Sequence, residues 1–451
     1  MSMMPTEPPH PPQTALFRRI LRNAGTILGG KVAMGLINLA ATSIALRSLG
    51  VEAMGTILLV HAFSQTADSV AKFQSWQAIL RFGTVSLRLG RRAEFRSLLR
   101  FTAGLDFCSG FASALLAGIA AWWFGDFFGI SPAIVPYAVV YATSTLFMAT
   151  ATPTGLLRLF DRFDLLATRD TVGALARLAG AALAALAGGG LIAFMAVWYL
   201  ANAVGGLALV ISAWRETGRQ GLLRAAPGEV LPKATEAHPG LWHFVWTTNL
   251  TTTMSLVSGR IGTLCVGAML GPSEVALYAV ARQIGEAALK PGRFLSPAIY
   301  PELARLAAAG DRMGLRHLVA RVLLMSTGGS LVLLTVLWLL GGELLRLVGG
   351  PQTVPAYPVM LLLATASAIG FAGFALEPLL MSIDHQGSAL RARSLAALAY
   401  LPGALLGLYL YGLEGAGVAA IGTSLVMLAA QIGPVLHALR LSGNRSAVER
   451  G

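Results

Sequence analysis

Residues 24–46 read AGTILGGKVAMGLINLAATSIAL, an apolar run in which Lys31 is the one charged residue. A helix needs about 20 mostly apolar residues to cross a bilayer, and this run is long enough by itself. A secretory signal has a shorter apolar core. Here the basic Arg18, Arg19 and Arg22 precede the run, and comparable runs follow along the whole chain, beginning near 54, 101, 133, 170, 191, 243, 273, 318, 357, 389 and 416. The expectation is an all-α membrane protein of about twelve transmembrane helices.

Composition points the same way. Hydrophobic residues make up 55% of the 451 and charged residues 12%, whereas a soluble domain carries roughly 25% charged residues. Mean hydropathy is +0.67. The net charge of +13 invites a nucleic-acid partner, but the basic residues are placed as a topology signal. Twenty-nine of the 34 fall on alternate connections, including Lys31, the cluster Arg81 to Arg100, Arg158, Arg162, Arg169 and Arg177, and Lys290 to Arg321. The opposite connections hold Arg47 and Arg346. By the positive-inside rule both termini are cytoplasmic, in an inner (plasma) membrane, and no nucleic acid is expected. Cys108 and Cys265 fall inside spans, where a packing role is expected.

The longest polar break, Arg215 to Gly240, contains Pro227, Pro232 and Pro239 and divides the spans six and six. The layout read from this is a disordered, basic cytoplasmic N-terminus at 1–22, an N-lobe at 23–214, a cytoplasmic linker at 215–242, a C-lobe at 243–440 and a cytoplasmic tail at 441–451. The halves echo each other at an offset of 220 to 221 residues: Leu49-Gly50 falls on Leu270-Gly271, Arg96 on Arg316, and Tyr137 on Tyr357. An even number of spans per half makes this a parallel internal repeat, with a site expected between the lobes.

Within the second span His61, Gln65, Asp68 and Lys72 are spaced to share one helical face. At the repeat offset, Arg282, Glu286 and Arg293 stand in for His61, Gln65 and Lys72, with Leu289 replacing Asp68. A charge at mid-bilayer costs about 2.5–3.5 kcal/mol on insertion scales, so these side chains should face protein or water. Lys31, Arg260 and Glu377 are further candidates for a wet, cationic cavity, and Pro291 and Pro297 allow the eighth helix to kink. A plainer reading pairs Asp68 with Lys72 and Arg282 with Glu286 as i, i+4 links along one helix. Gly25, Gly30 and Lys31 mimic a phosphate-binding loop, but Val32 stands where that loop needs Ser or Thr. No nucleophile, metal-ligand or paired-carboxylate pattern marks an enzyme.

Four segments carry a family likeness: Leu49-Gly50 through Gly55; Leu270-Gly271-Pro272 through Arg282; Gly349-Gly350-Pro351 through Pro358; and Phe73-Gln74-Ser75-Trp76-Gln77 through Gly83. With them the chain resembles the oligosaccharide flippase branch of the multidrug, oligosaccharidyl-lipid and polysaccharide exporter superfamily. The resemblance implies alternating access between two six-helix lobes, and a bacterial undecaprenyl-diphosphate-linked oligosaccharide as cargo, for O-antigen, capsule or exopolysaccharide. Its partners would be that lipid-linked oligosaccharide, membrane lipid and other polysaccharide-assembly proteins. Arg282, Lys72, Arg293, Arg260 and Lys31 are then the expected cargo-binding residues, with Asp68, Glu286, His61 and Glu377 as ion-coupling candidates. No cofactor is expected beyond a proton or sodium gradient.

Three alternatives compete with this reading. A multidrug and toxin extrusion antiporter would want acids in the first span, which has none. A major facilitator transporter would want an Asp before Arg88-Leu89-Gly90-Arg91-Arg92, where Leu87 stands. A membrane-embedded glycan polymerase or ligase would want a large outer loop, and the outer connections are short.

Overall fold

The computed structural model describes residues 13–224, 228–287, 292–309, 311–382 and 386–448; side chains at 13–31, 250–260, 287, 292–298, 301, 312, 386, 390 and 437–448 lie outside that description. The described residues form helices and contain no strand. The N-terminal half comprises α1 (Gln13–Ala71), α2 (Ser75–Ala78), α3 (Thr84–Arg88), α4 (Arg92–Phe124), α5 (Val135–Ala142), α6 (Thr145–Met148), α7 (Ala151–Leu159), α8 (Phe163–Leu166), α9 (Thr168–Leu186) and α10 (Leu191–Arg219). After the linker helix α11 (Ala234–Ala237) come α12 (Leu241–Leu270), α13 (Pro272–Ala287), α14 (Gly292–Ala308), α15 (Arg312–Gly349), α16 (Tyr357–Ala372), α17 (Leu376–Ser382), α18 (Gln386–Tyr411) and α19 (Leu413–Val448).

Seven of the described helical stretches are long and apolar enough to cross a membrane. Their outer faces require lipid: only 17% of the apolar window in Met313–Gly349 is buried inside the protein, and Leu324, Val332, Trp338 and Leu339 are all exposed on it. Trp122 and Trp123, exposed at the end of α4, suit a bilayer interface, where amphipathic rings concentrate. Cys108, read as a packing residue, is exposed, whereas Cys265 is buried.

Of the remaining expected spans, those near 170 and 243 are the single helices α9 and α12, and others are broken or fused. The runs expected near 24 and 54 form one helix, α1, bent at Gly50, and α1 already includes Arg18, Arg19 and Arg22, which the sequence reading placed in a disordered tail. The run near 133 is divided into α5, α6 and α7; in the run near 273, residues 288–291 between α13 and α14 lie outside the described residues. Pro291, expected to kink this last run, lies outside the described residues.

The two halves meet at the end of the bundle that carries Gly50. Ser43 Oγ donates to Val348 O at 2.5 Å, Arg47 donates to Leu347 O, and Gln352 Nε2 donates to Leu46 O at 3.2 Å. One buried cluster runs across this seam, joining Leu46, Met54 and Leu59 to Val266, Val275 and Val348. Lipid supplies no hydrophobic drive between helices, so close backbone approach has to hold them. Gly55 provides it: a Cβ there would lie 1.7 Å from Pro272 O. At the opposite end the linker is strapped to α4, where Arg96 donates to Arg224 O at 2.9 Å and pairs with Glu229, and Ser97 donates to Pro232 O.

Candidate functional site

Two polar clusters occupy the interior of the N-terminal half. In the first, α1 supplies His61 and Gln65, α5 supplies Tyr141, α9 supplies Arg177 and α10 supplies Asn202. Gln65 Nε2 lies 2.6 Å from His61 Nε2, and His61 Nδ1 lies 2.9 Å from Tyr141 Oη. With the amide donating to Nε2, the ring proton of a neutral His61 sits on Nδ1 and is donated to the phenol. Arg177 donates to Asn38 Oδ1 at 3.1 Å and to Asn202 Oδ1 at 3.3 Å, and its guanidinium lies 5.5 Å from the Trp198 ring centroid. Its Nε is buried with no hydrogen-bond partner among the described residues. The charge pattern had assigned Arg177 to a basic connection. The structure corrects this, because the residue lies in the middle of α9 with its head turned to neutral amides.

The second cluster forms where two helices break. The chain leaves helical geometry between α1 and α2, at 72–74, and again between α6 and α7, at 149–150. Non-helical backbone at membrane depth survives only where its freed groups find partners. Lys72 Nζ donates to Met148 O at 2.6 Å, Arg169 Nη1 donates to Thr150 Oγ1 at 2.7 Å, and Asp106 Oδ2 accepts from the Thr152 backbone N–H at 2.6 Å. Beside these breaks lies a cavity of about 210 Å³ lined by Asp68, Lys72, Gln74, Trp76, Thr150 and Arg169, among others. Lys72 also lies 3.6 Å from Asp68, and Arg158 stacks over Trp76 at 4.2 Å.

In the C-terminal half Arg282 lies 4.0 Å from Glu286 and over the Tyr278 ring at 5.6 Å. Tyr278 and Tyr400 converge where Gly262 leaves room, their hydroxyls 2.9 and 2.2 Å from where a Cβ would sit. Glu377 pairs with Arg393 at 2.6 Å. Lys72 and Arg282 therefore each meet an acid four residues away, as the i, i+4 reading expected, while Lys72 also opens onto a cavity. The side chains of Lys31, Arg260 and Arg293 lie outside the described residues.

Sequence reasoning missed Asp106, Arg169 and Arg177. Asp106 is the one charge between Phe101 and Phe124, and Arg177 the one charge between Thr171 and Gly190. A lone ionisable residue in an apolar run is a functional candidate by default, and that signal was present at both positions.

Residues 100–357 match the family described as polysaccharide biosynthesis protein. The chain is 32% identical over 345 residues to inner membrane protein YghQ of Escherichia coli (strain K12), covering 76% of this chain and 96% of that protein. Among solved structures, it is similar to an inward-facing multidrug resistance MATE family transporter of the MOP superfamily, at TM-score 0.72 and 13% identity, covering 91% of this chain and 96% of that one. It is also similar to the lipid II flippase MurJ in an inward closed conformation, at TM-score 0.65 and 12% identity, covering 94% of this chain and 91% of that one. An all-helical fold shared with these transporters, combined with the family match and the YghQ identity, makes the chain a multi-pass inner-membrane member of the polysaccharide biosynthesis protein family.

Proposed function

We propose that the protein is a flippase that moves an undecaprenyl-diphosphate-linked oligosaccharide from the cytoplasmic to the outer leaflet for surface polysaccharide assembly. It would work as twelve spans in two parallel-repeat lobes, N-lobe 23–214 and C-lobe 243–440, with both termini and the 215–242 linker cytoplasmic. The observation that carries this reading is the cavity at the two helix breaks, where Lys72 and Arg169 face a polar wall. Discontinuous helices are where transporters place their binding groups, and a diphosphate entering low dielectric needs cations. Arg282 offers a further cation in the C-lobe. Gly55 against Pro272 closes the Gly50 end, and cargo would enter from the linker side.

Deletion in the native host tests this. Loss of a flippase traps lipid-linked single units on the cytoplasmic face, whereas loss of a polymerase lets single units reach the surface. Loss of a drug antiporter would instead sensitise cells to organic cations and leave the glycan intact.

A further inference from the structure

Of the acids expected to carry coupling ions, Asp68, Glu286 and Glu377 each face a cation, Lys72, Arg282 and Arg393 respectively, at 3.6, 4.0 and 2.6 Å. Asp106 differs. It is 6% exposed, and its hydrogen bonds come from neutral donors, including Ser75 Oγ to Oδ1 and the Thr152 backbone N–H to Oδ2, each at 2.6 Å.

Those donors are not ordinary positions. Ser75 begins α2 just after the first helix break, and Thr152 lies in the first turn of α7 just after the second. One carboxylate therefore fastens the restarts of two interrupted helices. The charged group that faces it is Lys72, just past the end of α1, and behind that lysine stand Asp68 on α1 and Arg169 on α9. From the other elements packed here come neutral groups, including the Thr152 hydroxyl, 3.4 Å from Ser75 Oγ.

We propose that Asp106 is a proton-binding site linked to the Lys72 cavity, so that a proton on Asp106 and an anion in the cavity favour each other. The proton comes from water, adds to a lone pair of one Asp106 oxygen, and returns to water; nothing else is consumed. Protonated, the acid donates to Ser75 Oγ while its carbonyl oxygen still accepts from Thr152. The negative charge that competed for Lys72 is then gone, and the ammonium is freer to meet an anion. By linkage the anion raises proton affinity equally. The anion part rests on the function proposed above; the proton site does not.

Two measurements on the purified full chain test this. Infrared difference spectra between mildly alkaline and mildly acidic pH should show a protonated-carboxyl C=O band that is absent in Asp106→Asn and shifted in Ser75→Ala. A band that persists in Asp106→Asn, or no band in the wild type, overturns the proton site. If Asp106→Asn does not fold, the Ser75→Ala spectrum decides, and an unshifted band overturns the assignment. Separately, the affinity of the wild type for inorganic pyrophosphate relative to that of Asp106→Asn should rise as pH falls, toward parity, by about 5-fold or more, the variant keeping only the pH dependence of the ligand's own titration. A wild-type-to-variant ratio that is independent of pH overturns the linkage. Absence of pyrophosphate binding, with the infrared band present, removes the anion reading of the cavity and leaves the proton site standing.

Discussion

Gly50 and Gly271, which the sequence echo aligns, share one backbone conformation: φ 81°, ψ 175° at the first and φ 87°, ψ −179° at the second. Residues with a Cβ essentially never adopt this region, and forcing one there costs about 1–3 kcal/mol. At both positions the geometry turns one long helix sharply into the next. Gly50→Ala and Gly271→Ala are each expected to lower thermal stability in detergent. Gly328→Ala, in a helix and with open space around it, is the control and should be neutral or slightly stabilising. Equal melting temperatures for all three would contradict the account of the turn.

Gly55 serves the seam between the halves. Gly55→Ala drives a methyl group into Pro272 O, a backbone clash of about 1–3 kcal/mol, and only separation of the halves relieves it. In a chain lacking its native cysteines, a thiol at Ser43→Cys should become more reactive when Gly55→Ala is added, because Ser43 is covered by Val348 across this seam. Unchanged labelling would show that the contact does not set the conformational balance.

Arg177 is held by two amides and no carboxylate in its hydrogen-bond set. Taking a guanidinium out of water is costly, so Arg177→Gln is expected to leave stability unchanged or raised while lowering cargo transport about tenfold or more. Arg177→Lys, unable to reach Asn38 and Asn202 together, should behave similarly. Parallel loss of stability and transport would make the residue structural only.

On the connection before α9, the Arg162 guanidinium takes Asp164 with two hydrogen bonds, 3.0 and 2.8 Å long, and reaches Glu216 at 2.7 Å. Hydrogen bonding to Arg162 holds the exposed Asp164 carboxyl down at about 2, below its ordinary 3.8. A depressed carboxylate stabilises the fold above its unfolded value, and that contribution is lost as pH falls from about 4 toward about 2. Melting temperature should therefore show no contribution from Asp164 titration near neutrality, and Asp164→Asn should flatten part of the acid decline. An unchanged acid limb in that variant would remove the pair from the account.

The helical membrane class and the sharp turns at Leu49-Gly50 and Leu270-Gly271 were legible in the sequence, because each rests on local composition, whereas the His61 to Lys72 stripe is shared between two clusters. The helix breaks at 72–74 and 149–150 were not legible. Neither break contains a proline or glycine, and what stabilises them comes from elsewhere: Lys72 reaches Met148 O, and Asp106 reaches Ser75 and Thr152. Arg177 was misplaced because counting basic residues by side cannot tell a loop arginine from one turned into the bundle. Only the positions of Asn38 and Asn202 on neighbouring helices reveal which it is.

The most direct test of the transport claim is reconstitution of the full chain into proteoliposomes loaded with an undecaprenyl-diphosphate-linked oligosaccharide, following arrival of the glycan at the opposite leaflet by its exposure to an added glycosidase. The wild type should accelerate transfer, and Lys72→Ala combined with Arg282→Ala should lower that rate about tenfold or more, the scale expected when a cation that meets a phosphate is removed. Transfer no faster than in protein-free vesicles, or transfer undiminished in the double variant, would contradict the account.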